Sequence, residues 1–284
     1  MKILLVGSTG MLGSMILKVF SRETDWEIVA PPSNVLNAEN VDHKSLRPFL
    51  VDVDWAINAA GKIKPYVHDN NLEQVETAIK VNSIFPHELQ KAASLEGAKV
   101  IQIATDCVYS GNGGYYTEVE NHDPADAYGK TKSLGEVNEG GFYNLRCSIV
   151  GPEVRQHSSL MDWFLSHKTG DIVSGYTNHQ WNGVTTLQFA KICRGIIKQN
   201  MSPPRLQHVI PRNSVSKFEL LHLFADYFGR DDIIITRDEA DTVIDRTLST
   251  NNHEANRTLW KAAGYDEPPT IQEMIEELAI HEGR

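Results

Sequence analysis

The sequence predicts an α/β fold: a doubly wound parallel sheet followed by a smaller, mostly helical C-terminal lobe. Three observations carry this expectation. Short apolar runs alternate with helical periodicities through the first half. The first run ends in a glycine-rich turn that leads directly into a helix. After Gly151-Pro152 the alternation stops and helical patterns dominate.

Residues 2–6 (KILLV) form a continuous apolar run, as expected of a strand buried on both faces. Met11, Leu12, Met15, Ile16 and Val19 then recur at helical spacing up to Phe20. Residues 26–30 (WEIVA) read as a second strand, stopped by Pro31-Pro32, and 53–57 (VDWAI) as a third, running into Asn58-Ala59-Ala60-Gly61. Helical patterns follow at 71–81 and 84–96, a fourth strand at 99–104, a helix at 126–137 and a strand at 142–150. Beyond it the spacing predicts helices at 158–167, 185–199, 216–228, 251–263 and 270–280. Short strands are expected at 171–174, 206–210 and 232–235. The chain therefore divides into 1–151, built on the sheet, and 152–284, a lobe that returns at most one strand to it. Trp163, Trp181 and Trp260 are expected in the core.

A chain of 284 residues with 41% hydrophobic and 23% charged residues can bury a sizeable core. The net charge of −10, with no basic run, argues against nucleic acid or an anionic membrane as partner. Cys107, Cys147 and Cys193 are odd in number and far apart, which fits a reducing cytoplasm rather than a disulfide framework. The histidines make no H-x-x-x-H pair, so no metal is expected. The N-terminal apolar run is broken at Gly7 before a signal-peptide core can form, and no stretch of about 18 apolar residues suggests a membrane span. A homodimer is the expected assembly, as the commonest for soluble proteins.

Gly7-Ser8-Thr9-Gly10-Met11-Leu12-Gly13 is G-x-x-G-x-x-G between a strand and a helix. The first glycine permits a tight turn and the second a close approach of backbone N–H groups to a pyrophosphate. The third lets helix and strand pack closely. A plain glycine turn would need no such context, so a Rossmann dinucleotide site is the better reading. Gly7, Thr9, Gly10, Met11, Leu12 and Gly13 are its candidates, with Asn58, Ala59, Ala60 and Gly61 at the end of the third strand. An acid that would bind a ribose 2′-hydroxyl should end the second strand. Ala30-Pro31-Pro32-Ser33 stands there instead, which tilts the reading to NADP(H) and leaves NAD(H) open.

Tyr128-Gly129-Lys130-Thr131-Lys132 holds Y-x-x-x-K, which on a helix sets phenol and ammonium on one face. A tyrosine titrates at about 10, and an adjacent ammonium should lower that value toward working pH and let the pair move a proton to or from a substrate oxygen. Lys132 can also hold ribose hydroxyls. Thr105, Asp106 and Cys107 follow the fourth strand at the edge where open α/β sheets bind ligands, and the Thr105 hydroxyl can hydrogen-bond a substrate carbonyl. Asn82 stands inside a helical stretch, where its residue type is unfavourable, and so suggests a hydrogen-bonding task. Any one of these features alone is weak; their order along the chain makes them specific. Gly129-Lys130-Thr131 mimics the end of a P-loop, but Pro124 occupies the required glycine position. No G-x-S-x-G elbow is present.

The succession GSTGMLG, NAAG, VNSIFP, ATDCVYSG and YGKTKSLGE resembles the extended short-chain dehydrogenase/reductase family and, within it, the dTDP-4-dehydrorhamnose reductase group. The likeness is dense over 1–151, continues through Leu145-Arg146-Cys147-Ser148 and Gly151, and thins afterwards. It implies that the glycine loop and Asn82 bind the dinucleotide and that Tyr128 is the proton donor, assisted by Lys132. It further implies that Thr105, with Asp106 and Cys107, orients a keto sugar. The implied reaction is NAD(P)H-dependent reduction of the C4 ketone of a nucleoside-diphosphate 4-keto-6-deoxysugar, as in dTDP-rhamnose biosynthesis, with a product that would feed a cell-surface polysaccharide or glycan. Lys62-Ile63-Lys64-Pro65-Tyr66 after the NAAG run, and Ile149-Val150 where the group commonly has an aromatic residue, depart from the pattern. Sugar and base are therefore left open. So are two rival readings: an epimerase or dehydratase on the same scaffold, and a non-catalytic NADP-binding regulatory subunit.

Overall fold

The structure is a computed structural model and describes residues 1–154 and 158–284. Its centre is a Rossmann-type sheet of six parallel strands: β1 (Lys2–Val6), β2 (Glu27–Val29), β3 (Trp55–Asn58), β4 (Lys99–Ala104), β5 (Phe142–Arg146) and a sixth, Leu206–His208. β1 lies between β2 and β3, and the sheet continues through β4 and β5 to the sixth strand. The winding therefore reverses at β1, and the carboxyl ends of β1 and β3 open onto a crevice.

The period of two explains why β1 is apolar throughout. Ile3 and Leu5 face a core shared with Leu12, Met15 and Ile16 of the helix Met11–Phe20. Leu4 and Val6 face the opposite core, against Phe85 and Leu89 of the helix Phe85–Glu96. All four are buried, and each contributes roughly 2 kcal/mol of apolar burial, which makes β1 the anchor of both layers. Residues beyond 151 enter the same core. The helix Thr186–Lys198 and Trp260 pack with the Ile3 layer, and Leu206–His208 pairs with Asn144–Arg146.

Several boundaries differ from the pattern. The third strand begins at Trp55; just before it, the Asp54 carboxylate accepts from the Lys2 N–H at 2.8 Å. The helical stretches at 71–81 and 84–96 are one continuous run: Leu72–Ala78, a π-helical segment Ile79–Ile84, then Phe85–Glu96. The helix expected over 126–137 spans Ala127–Leu134. The strand expected over 142–150 is two. After Arg146 the Ser148 carbonyl accepts from the Val184 N–H at 2.9 Å, and Ile149–Val150 pairs with Val184–Thr185 instead of extending β5. The remaining expected strands appear as Ile172–Tyr176 and Ile234–Asp238, paired in parallel with each other. His179–Trp181 is flanked by Val215–Ser216 and Ile244–Asp245. Trp181 and Trp260 are buried, but Trp163 is not a core residue: it is 40% exposed and lies edge-on to His167. Among the described residues no helix is long and apolar enough to cross a membrane.

Candidate functional site

A cavity of about 630 Å³ opens at the carboxyl ends of β1, β3 and β4, within the size range of small-molecule sites. Its first wall is the glycine loop. Gly7 takes φ +82°, and a side chain there would meet the Ala60 nitrogen at 2.6 Å. A methyl on Gly13 would run into the Gly7 carbonyl. Both glycines therefore serve the packing of turn, helix and β3, and neither lines the cavity. Thr9, Gly10, Met11 and Leu12 do line it, as do Ala59, Ala60 and Gly61 opposite. Gly10 caps the helix Met11–Phe20 with no side-chain hydrogen bond, and the first turn carries no acid. The helix thus presents its N–H groups and positive dipole end bare at the cavity wall, which fits the pyrophosphate of a dinucleotide.

The second wall carries the polar chemistry. Thr105, Asp106 and Cys107 leave β4 and meet Tyr128 and Lys132 from the helix Ala127–Leu134; all five line the cavity. Gly129 makes this meeting possible. A side chain at that position would collide with the Cys107 carbonyl and with Pro124, so only glycine lets the helix settle against the β4 loop. The Thr105 hydroxyl accepts from the Cys107 N–H at 3.2 Å and reaches Asp106 Oδ1 at 3.1 Å. Lys132 Nζ donates to the Ile103 carbonyl at 3.0 Å.

Burial dominates the titration of this wall. It raises the Tyr128 phenol well above the usual tyrosine range, against a hydrogen bond from Thr105 that works the other way. It draws the Lys132 ammonium down to about 8 and pushes the Cys107 thiol up to about 12. It also raises Asp106, against the attraction of Arg246 and Lys217. The expected lowering of the tyrosine by its lysine partner is therefore corrected. Lys132 is turned toward Ile103, and desolvation keeps the phenol protonated. A protonated phenol is a proton donor, not a base.

Asn58 and Asn82, expected at the dinucleotide, stand behind the cavity instead. Asn58 donates to Gln102 at 2.8 Å, and its carbonyl oxygen accepts from the Ala60 N–H at 3.2 Å. Asn82 accepts from the Lys62 N–H at 2.8 Å and donates to the Lys62 carbonyl at 3.0 Å and to Thr131 Oγ1 at 3.2 Å. Each amide is spent holding a cavity-lining segment in place. The π-helical widening at Ile79–Ile84 sets Asn82 between the Lys62 segment and the helix of Tyr128.

A third wall was not read from the sequence. Ser148, Ile149, Glu153, Ser158, Trp181 and Lys217 also line the cavity. Trp181 Nε1 donates to Ser148 Oγ at 2.8 Å, and Tyr66 bridges to Ser158 at 2.8 Å. These residues come from five separate short stretches with no shared motif. The one local signal is the capping box of Ser216 and Glu219, which fixes where Lys217 enters.

Residues 1–231 match the family model of the RmlD substrate binding domain. The methionine adenosyltransferase 2 subunit beta of Rattus norvegicus is 26% identical over 250 residues, covering 80% of this chain and 72% of that protein. Among solved structures, a dTDP-4-dehydrorhamnose reductase from Clostridium acetobutylicum superposes with a TM-score of 0.81 at 23% identity, over 100% of both chains. A dTDP-4-dehydrorhamnose reductase from Bacillus anthracis, in complex with NADP, gives 0.80 at 19% identity over 99% of each chain. The likeness to the two solved structures is one of fold. The chain belongs to the RmlD substrate-binding domain family, and the extended short-chain dehydrogenase/reductase architecture fits it.

Proposed function

We propose that this member of the RmlD family is an NADP(H)-dependent reductase acting on the C4 ketone of a nucleoside-diphosphate 4-keto-6-deoxysugar. The observation that carries the reading is the convergence of Thr105, Tyr128 and Lys132 in one cavity with the bare N-terminus of the helix Met11–Phe20. The reduced nicotinamide supplies the hydride when bound. Thr105 orients the substrate carbonyl by a hydrogen bond to its oxygen. As that oxygen gains electron density it becomes strongly basic, and the buried phenol of Tyr128 gives it a proton, completing the alcohol. Lys132, four residues on along the same helix, holds the ribose hydroxyls. No acid ends β2 to accept from a ribose 2′-hydroxyl, which favours NADP(H) over NAD(H). The product would enter the synthesis of a surface polysaccharide.

A second reading is a non-catalytic NADP-binding subunit of a larger enzyme. The 26% identity to the rat methionine adenosyltransferase subunit favours it. One assay separates the two. Purified protein is mixed with NADPH or NADH and a dTDP- or UDP-4-keto-6-deoxysugar made in situ by a dehydratase, and reduced-nicotinamide absorbance is followed. Substrate-dependent oxidation is expected. Cofactor binding without oxidation of any such sugar would turn the reading to the subunit.

A further inference from the structure

Four lysines line the cavity, and three of them are engaged. Lys62 pairs with Glu39 at 3.1 Å, Lys64 with Asp126 at 2.7 Å, and Lys132 donates to the Ile103 carbonyl at 3.0 Å. Lys217 is the exception: its ammonium makes no hydrogen bond or ion pair with any described residue. It stands 5.6 Å from the centroid of the Trp181 ring, near Asp106.

The position is built rather than incidental. Val215–Ser216 pairs with Trp181–Gln180, which sets the start of the helix Lys217–Phe228 beside the tryptophan. The Ser216 N–H donates to Glu219 at 2.7 Å, and Ser216 Oγ accepts from the Glu219 N–H at 3.2 Å. The helix terminus is thus already capped, so Lys217 is not required there. The ammonium feels the buried Asp106 without bonding it, and desolvation draws its pKa down to about 8. A cation sunk in a polar cavity with no partner is unfavourable unless something anionic meets it.

We propose that Lys217 is the recognition residue that takes an anionic group of the substrate, with the Trp181 face as the surface against which that group is set. This rests on the reading of a nucleoside-diphosphate sugar as substrate. The anion is the diphosphate, the one charged group of such a 6-deoxysugar nucleotide; a lysine ammonium meets it by charge-assisted hydrogen bonds.

The test is calorimetric titration of the NADP⁺-saturated protein with UDP-glucose and with UDP-glucuronate, in wild type, Lys217→Met and Lys217→Arg. Losing a charge-assisted contact in a desolvated site should weaken binding by about tenfold or more in Lys217→Met, while Lys217→Arg stays within about threefold. Weakening of both ligands bears out contact with the diphosphate; weakening of UDP-glucuronate alone overturns it. Equal affinity of Lys217→Met and wild type for both ligands overturns the proposal and leaves Lys217 as a mere counter-charge to Asp106. So does failure of the wild type to bind either ligand. NADP⁺ affinity and unfolding temperature, unchanged across the three proteins, exclude misfolding as the cause. The reductase reading fails separately: a protein with Lys217-dependent ligand binding that oxidises no NADPH keeps the recognition site and loses the reaction.

Discussion

Arg146 and His208 share a hydrogen bond of 2.8 Å in which the guanidinium donates and the imidazole Nε2 accepts. The other ring nitrogen is also committed, since Nδ1–H donates to the Ser249 carbonyl at 2.7 Å. His208 is therefore held in a single neutral tautomer. Arg146 is fully buried and imposes the same state on His122, whose Nε2 accepts from it at 2.7 Å while Nδ1 faces Ser133 Oγ. Glu136 closes the cluster, bonding the guanidinium at 2.5 and 3.0 Å. One arginine so ties β5, the sixth strand and the segment following the Tyr128 helix into a unit beside the cavity wall that carries Tyr128.

This arrangement predicts a loss of stability in mild acid. Burial, and then the charge of Arg146, draw His208 down to about 4 from the usual 6.5. The unfolded chain accepts a proton at a higher pH than the folded one. The stabilisation is complete above the unfolded pKa and is lost as pH falls from 6.5 toward 4. Chemical denaturation at pH 7.5 and at pH 5 should differ by on the order of 2 kcal/mol, and His208→Gln should flatten that difference. An unchanged pH slope in the variant would remove His208 from this role.

Tyr128→Phe removes the proton donor but not the ring that lines the cavity. Turnover should fall by about a hundredfold or more, the usual contribution of a general acid, with NADPH affinity unaltered. Steady-state kinetics with a 4-keto sugar, set beside calorimetry with NADPH, check both halves. Undiminished turnover would sink the mechanism.

The half of the site that was legible is the half in which chemistry follows sequence locally. β1 is an apolar run from Ile3 to Val6 and β4, after Lys99, is apolar but for the buried Gln102, because both faces are covered, and their ends announce themselves by Gly7 and Thr105. Tyr128 and Lys132 are four residues apart, so helical geometry alone brings them together. Lys217 and Trp181 escaped because their neighbourhood depends on a two-residue antiparallel pairing between distant stretches, which no periodicity records. The break after Arg146 escaped for a related reason. Cys147, Ile149 and Val150 remain apolar while the hydrogen-bond partner changes from β4 to Val184. Asn82 was singled out correctly as unusual in a helix, but residue type alone does not say whether its amide faces the ligand or the scaffold.

Gly10 and Gly13 should respond oppositely to enlargement. At Gly10 an added Cβ meets nothing closer than the Gly7 carbonyl oxygen at 3.4 Å, so Gly10→Val should fold with little loss. Its branched side chain would occupy the helix N-terminus, and NADPH affinity measured calorimetrically should drop by about a hundredfold. Gly13→Ala drives its methyl into the Gly7 carbonyl and backbone, so stability should fall by about 2 kcal/mol or more in denaturant titrations. Unchanged cofactor affinity in Gly10→Val would displace the dinucleotide from this loop.

Gly129→Ala tests whether the catalytic wall depends on how closely its helix approaches β4. The added methyl would collide with the Cys107 carbonyl and stand 2.8 Å from Pro124 Cβ, both backed by the loop that carries Thr105. The helix must retreat, and Tyr128 moves away from Thr105 with it. A displacement of even about 1 Å misaligns donor and carbonyl and can cost about a hundredfold in rate. The expected result is a large fall in kcat with only a modest fall in unfolding temperature, read by steady-state kinetics and thermal denaturation. A variant that keeps wild-type kcat would show that the Tyr128 helix can shift without consequence and that the approach enforced by Gly129 serves folding alone.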